Sequence, residues 1–236
     1  MNTLVFDTST DLLAVAVKNE AGRILAREES GFRHSETLLP AIERCLGEAS
    51  LTLREIGLIA CTCGPGSFTG LRIGMATAKG MSLALGIPWV GIPTLDCIAQ
   101  GHALGQALGQ AFRLDFEPER AGRTIIVPVI DARKNRVYSA LYKDGHRVSD
   151  YLDVSLTELL ARVDGDYKVI FIGPDADLLA DYCLERTGFS VEEDDPVARL
   201  KGLAALAEIK YREEGPAADD EGPLYMREPE IGFKAP

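Results

Sequence analysis

The apolar positions of the chain change their period several times, and each change marks an element. "NTLVFD" at 2–7 runs into the polar turn "TST", "LLAVAVK" at 12–18 follows, and a Glu-Ala-Gly turn leads to "RILAREES" at 23–30. Short apolar and β-branched runs bounded by turn residues predict three strands. From His34 the period lengthens. Leu38, Leu39, Ile42 and Leu46 recur at helical spacing, with Ser35 or Thr37 as the expected cap. Pro40 is expected within the first turns of that helix, where a missing N–H does least damage. "IGLIACTC" at 56–63 predicts a buried strand, and the glycine-rich "GPGSFTGLRIG" at 64–74 opens a helix expected from about Ser67 to Leu85, with Ser67 as its cap.

The same order returns in the second half. "RTIIVPVIDARKNRVYSALYKDGHRVSDYLDV" reads as strand, polar turn, strand, turn, strand. "SLTELLARV" opens with Ser155 and carries Glu158 three residues on, a capping box, and "YKVIFIGPDADLLADYCLE" is strand, Gly-Pro turn, helix. Without gaps, Asp7 falls on Asp131, Leu13 on Val137 and Val17 on Leu141, while "GPG" at 64–66 corresponds to "GPD" at 173–175. The pattern predicts two related α/β domains of βββαβα order with a cleft between them. The division is expected at residues 1–102 and 103–236, with "GHALGQALGQAFRLDFEPERAG" at 101–122 as the crossover. A last helix is expected in the second domain, capped by Asp195, started by Pro196 and stopped by Gly215, before an extended tail.

With 46% hydrophobic and 26% charged residues, the 236-residue chain has enough apolar material for real cores. A formal net charge of −11 argues against holding a polyanion unaided, because phosphate neutralisation needs clustered Lys and Arg. If nucleic acid is involved, a partner is expected to supply most of the contact. Five cysteines, an odd count with Cys61 and Cys63 in a buried strand, favour reduced thiols over a disulfide framework. Without a basic, apolar leader or an apolar run of about 18 residues, the expected location is the cytoplasm, away from membranes.

The glycine-rich stretch invites three chemical readings. A Walker loop needs a Gly-Lys that is missing, and the dinucleotide pattern meets Thr69 where its third glycine belongs. In "GSFTG" the serine stands one position too early for a nucleophile elbow. His34, His102 and His146 are the only histidines, and none has a neighbour at metal spacing, so neither a catalytic residue nor a metal site nor a cofactor is expected. What remains is packing: Gly70, Gly74, Thr77, Ala78 and Met81 share one sector of a helical wheel. Small side chains admit a close neighbour, either a partner's backbone or the chain's own sheet.

Four stretches, "DTST" at 7–10, "HSETLLPAI" at 34–42, "GPGSFTGLRIG" at 64–74 and "DARKNRVYSALY" at 131–142, resemble the TsaB/YeaZ family. These are bacterial accessory proteins for threonylcarbamoyladenosine modification of tRNA. "PLYMR" at 223–227 is similar to the family's C-terminal Pro-x-Tyr-x-Arg, so the resemblance runs nearly from end to end. It implies an actin-like (sugar kinase/Hsp70/actin) fold and a non-catalytic scaffold role. The implied partners are the catalytic paralogue TsaD and the ATPase TsaE, with tRNA met mainly through the complex and a homodimer for the isolated chain. Where TsaD carries a metal-binding histidine pair, this chain has Thr94 and Ile98. The resemblance further implies a partner face on the first two helices, for which His34, Leu38, Ile42, Gly70, Leu71, Gly74, Met75 and Ala78 are the candidates.

Asp7, Ser9 and Thr10 stand in the turn where kinases of this fold hold phosphate and metal. They read either as a vestigial nucleotide site or as an Asx-type turn satisfying its own backbone. Arg133, Lys134 and Arg136 read as a solvated turn or as a local tRNA contact. A glycoprotease-like peptidase and a small-molecule kinase are the competing functions.

Overall fold

In the computed structural model, which describes residues 1–30, 33–111, 124–163 and 167–227, the opening runs form β1 (Asn2–Asp7), β2 (Leu12–Lys18) and β3 (Ile24–Ser30). Successive β1 side chains leave opposite faces of the sheet, so Leu4 and Phe6 enter one core and Val5 another. Burial on both faces explains why these strands read as continuous apolar runs. Each fully buried Leu, Val or Phe contributes about 1.5–3 kcal/mol. β4 (Ile56–Gly64) and β5 (Trp89–Pro93) run parallel beside β1, giving the order β3-β2-β1-β4-β5.

Helix α1 (His34–Glu48) and helix α2 (Phe68–Leu85) lay Leu38, Ile42, Met75 and Ala78 on the Leu4/Phe6 face. α2 starts where the sequence indicates: the Ser67 hydroxyl accepts from Gly70 N–H, and Gly86 ends the helix in left-handed geometry. α1 does not. It begins at His34 after Arg33, and no side chain caps it. Thr37, an expected cap, instead donates to the Arg33 carbonyl at 3.0 Å. Pro40 therefore falls in the second turn, on the exposed side of the helix, where water can serve the carbonyl that its missing N–H leaves behind.

Helix α3 (Thr94–Ala111) follows β5 directly. It occupies much of the stretch expected to be a crossover, and it runs unbroken through 102 and 103, where composition put the division. Residues 112–122 of that crossover lie outside the described residues. The second half repeats the first: β6 (Thr124–Asp131), β7 (Arg136–Ser139), a hairpin of β8 (Tyr142–Lys143) and β9 (His146–Arg147), β10 (Leu152–Ser155), helix α4 (Leu156–Arg162), β11 (Lys168–Ile172), helix α5 (Ala180–Glu185) and β12 (Phe189–Val191). Its sheet order, β10-β7-β6-β11-β12, is that of the first sheet strand for strand, with the hairpin added beside β6. The expected second strand is cut after Ser139, so β10 takes the third position. The Ser155–Glu158 capping box forms at the start of α4.

Helix α6 (Pro196–Glu214) has the expected Asp195 cap and proline start. Its placement differs from the expectation. Leu200, Leu203, Ala204 and Ala207 pack with Val5, Ala14, Leu58 and Val90, so α6 covers the free face of the first sheet. The crossing with α3 is close enough that a Cβ on Gly202 would run into the Cys97 carbonyl and the Gly101 N–H. That backbone-to-backbone contact accounts for glycines in two helix interiors, where each costs roughly 1 kcal/mol of propensity.

Candidate functional site

Asp7 ends β1 and is 1% exposed. One carboxylate oxygen accepts from the Ser9 N–H at 2.8 Å, the Ser9 hydroxyl at 2.6 Å and the Thr62 hydroxyl of β4 at 2.7 Å. The other faces the Arg199 guanidinium of α6 at 3.2 Å, and Arg199 reaches Asp194 at 2.8 Å. Arg199 is itself only 2% exposed. A buried carboxylate persists when a cation and hydrogen bonds replace its water, and this one has both from its own chain. Burial pushes the Asp194 carboxyl up in spite of Arg199 beside it. Thr10 closes the turn on itself, donating to the Leu12 carbonyl at 3.1 Å and accepting from the Leu12 N–H at 3.2 Å.

The glycine stripe packs against this same turn. A Cβ on Gly70 would overlap the Thr8 carbonyl, one on Gly74 the Thr8 hydroxyl, and one on Gly66 the Ser9 carbonyl. Ser67 N–H donates to that Ser9 carbonyl at 2.7 Å. Of the two packing readings open in the sequence, contact with the chain's own first turn is the one seen. His34 joins in, its Nε2 donating to the Thr10 carbonyl at 2.7 Å.

That geometry corrects the candidate face. His34, Leu38, Ile42, Gly70, Leu71, Gly74, Met75 and Ala78 are all buried within the chain, because the same small and apolar positions are needed to seat α1 and α2. The outward sides of these helices carry other residues. Leu39 is 58% exposed, Leu83 88% and Leu85 40%. Between the helices and the loop after α1 lies a groove of about 520 Å³, lined by Leu39, Ile42, Leu46, Leu51, Leu53 and Met81. Leu39 sits one residue off the stripe of Leu38, Ile42, Cys45 and Leu46. That offset was the available signal, and counting Leu39 with the stripe hid it.

The equivalent turn of the second half is built alike but stays open. Asp131 accepts from the Arg133 N–H at 2.7 Å, the counterpart of the Asp7–Ser9 bond, and its own N–H donates to Asp175 at 2.8 Å. Burial pushes the Asp175 carboxyl up. Arg133, Lys134 and Asn135 all take positive φ. Arg133 pairs with Asp131 at 3.1 Å and Arg136 with Asp153 at 2.7 Å, so both arginines are committed to neighbouring carboxylates. Between the two turns is a cleft of about 500 Å³, lined in part by Thr10, Ser67, Phe68, Asp131, Arg133 and Asp175.

Among the described residues no group of three or more His, Cys, Asp or Glu side chains is placed to hold a metal ion. Thr94 and Ile98 lie one turn apart on α3, both buried. Burial drives the Cys61 and Cys97 thiols well above their ordinary range and pushes Cys63 up to about 12, which leaves them packed and unreactive near neutral pH. No helix among the described residues is long and apolar enough to cross a membrane.

Known proteins agree with this architecture. The family model "TsaD: tRNA N6-adenosine threonylcarbamoyltransferase" matches residues 26–168. The tRNA threonylcarbamoyladenosine biosynthesis protein TsaB of Escherichia coli is 35% identical over 144 residues, which cover 61% of this chain and 55% of that protein, little more than half its length. The Bacillus subtilis protein of the same name is 29% identical over 239 residues, covering 96% of this chain and 94% of its own. YeaZ from Pseudomonas aeruginosa superposes with a TM-score of 0.74 at 25% identity, over 95% of this chain and 99% of that one. The duplicated sheets are those of the actin-like fold. With the family model spanning more than half of the sequence, the chain belongs to the TsaD family, on its TsaB/YeaZ branch.

Proposed function

We propose that the chain is a non-catalytic scaffold in the complex that transfers threonylcarbamoyl to adenosine 37 of tRNA. In this reading it holds the catalytic paralogue TsaD through the outward face of α1 and α2, and TsaE joins the pair. The observation that carries the proposal is the apolar groove lined by Leu39, Leu53 and Met81, with a second exposed apolar side chain, the 88%-exposed Leu83, outside the groove on α2. A contiguous apolar surface on a soluble chain marks an interaction site. The isolated chain uses the same face for a homodimer. tRNA is gripped mainly by other subunits, in keeping with the net charge of −11, and the complex works in the cytoplasm.

Closure of the first turn supports a supporting role over kinase chemistry. A phosphate or metal arriving at Asp7 would have to displace the Arg199 guanidinium from a buried site. The test uses outward residues. Leu83→Glu together with Leu39→Glu should reduce co-purification with TsaD by at least about tenfold, since each places a charge in a desolvated contact, while circular dichroism and melting stay at the parent values. Retained TsaD binding by that folded variant removes the proposed face. Peptidase or ATPase turnover by the pure chain, without TsaD and TsaE, removes the scaffold role.

A further inference from the structure

The C-terminal segment after α6 is bound at both ends of its path. Ala217 N–H donates to the Trp89 carbonyl at 2.8 Å, and Leu224 N–H donates to the Cys63 carbonyl at 2.7 Å. These bonds run the segment past the ends of β5 and β4. At Gly64 the approach is so close that a Cβ would stand 2.6 Å from the Leu224 carbonyl oxygen. The next residue turns to α2: the Tyr225 ring stacks on Phe68 at 5.1 Å, and its hydroxyl accepts from Arg72 Nε at 2.8 Å. Arg72 in turn lies 3.9 Å over the Phe68 ring. Two residues later the chain has reached the second sheet. Arg227 grips Asp153 of β10 with a two-pronged fork, both distances 2.7 Å, and a third donor reaches the Ala132 carbonyl at 3.3 Å.

We infer that residues 216–227 form a latch that holds the two sheets in a fixed relation by occupying the groove between them. Tyr225 is the anchor on the first half and Arg227 the anchor on the second. Under the latch lies a groove of about 460 Å³, lined in part by Phe68, Arg133, Lys134, Tyr138 and Arg227. The fork geometry matters because a guanidinium meeting a carboxylate edge-on fixes orientation as well as distance. Partial burial also strengthens it: Arg227 is 29% and Asp153 17% exposed, so solvent screens this pair less than a surface bridge. The Asp153 carboxyl also accepts from Arg136 of β7, which pre-sets it for the fork. Release at Arg227 frees the short reach from Leu224 onward and uncovers the groove, while Ala217 keeps the segment tethered to β5.

The latch is independent of the TsaD-binding reading, and the test needs only the full chain. Amide hydrogen exchange is followed for Leu224 and Ala217 in the parent, Arg227→Ala and Arg227→Lys, with small-angle scattering of the same samples. Charged hydrogen bonds of this kind change opening equilibria by about tenfold or more. Arg227→Ala should therefore raise exchange at Leu224 about tenfold, leave Ala217 within twofold and increase the radius of gyration. Arg227→Lys keeps the charge but loses the fork and should fall between. If Leu224 exchange and the radius of gyration match the parent in Arg227→Ala, the latch is disproved. If exchange rises equally at Leu224, Ala217 and the core strands in both variants, it is disproved too, because the tail is then ordinary core.

Discussion

The two first turns, at Asp7 and at Asp131, are the same local structure in two environments. Both aspartates end the central strand of a sheet and accept the N–H two residues on. Asp7 is then sealed under α6 and the glycine face of α2, and Arg199 supplies its counter-charge. Asp131 keeps partial exposure, and its partner Arg133 extends into solvent. The difference arises from which helix covers the turn. α6 crosses back from the second half onto the first sheet and carries Arg199 to Asp7, whereas the helix that lays Leu95, Ile98 and Ala99 on the matching face of the second sheet, α3, has no Lys or Arg to bring to Asp131. Duplication thus preserved backbone geometry while the burial of its charges diverged.

The sharpest way to break the comparison is to remove the cation from one turn and the anion from the other. Arg199→Met leaves the buried Asp7 and the half-buried Asp194 carboxylates without their guanidinium. The expected loss is about 3–5 kcal/mol, because an uncompensated buried charge is far costlier than a missing pair. Adding Asp7→Asn should recover part of that loss. Asp131→Asn, at the open turn, should change stability by less than about 1 kcal/mol. Urea titrations of the four proteins check this, and equal losses at the two turns would show that burial is not what separates them.

Glycines within α2 give a second, smaller contrast. Gly74→Leu drives a branched side chain into Thr8 and should destabilise by about 1–3 kcal/mol or more. That variant therefore reports on the fold and not on the partner face. Gly80, exposed on the same helix, has nothing near the position of an added Cβ. Gly80→Ala should stabilise by about 0.5–1 kcal/mol through helix propensity and a less flexible unfolded chain. Thermal melts of the two should move in opposite directions.

What could be read in the sequence was local. Strand periods, the Ser67, Ser155 and Asp195 caps and the duplication depend on residues close together in the chain, and all appear in the fold. α3 was hidden because its three glycines at 101, 105 and 109 lower helix propensity, and the reason for Gly101 is the close approach of the Ala198 carbonyl of α6, about a hundred residues away in sequence. Arg199 was missed for the same kind of reason. Nothing around it in "PVARLKG" marks it as the counter-ion of Asp7, and only the return of α6 to the first sheet brings them together. The buried glycine face was legible as small and close-packed, but spacing alone does not say which surface approaches it.

The smallest expected effect concerns pH and extends the contrast to two carboxylates that meet arginines, Asp153 across the fold and Asp194 within its own segment. The fork from Arg227, aided by Arg136, holds the Asp153 carboxyl below its ordinary value, whereas burial raises Asp194. The signs are opposite. For Asp153 the folded state binds protons less readily than the unfolded chain, so its stabilisation is present above about pH 4 and fades as pH falls through the lowered folded value. For Asp194 the folded state binds its proton more readily, so stability declines as pH rises from about 4 through the raised value. Arg227→Ala should flatten the acid-side loss below pH 4 and leave the slope on the alkaline side of pH 4 untouched. Asp194→Asn should do the reverse. Stability measured by urea between pH 3 and 6 separates them, and a Arg227→Ala profile parallel to the parent's would mean that the fork does not tune Asp153.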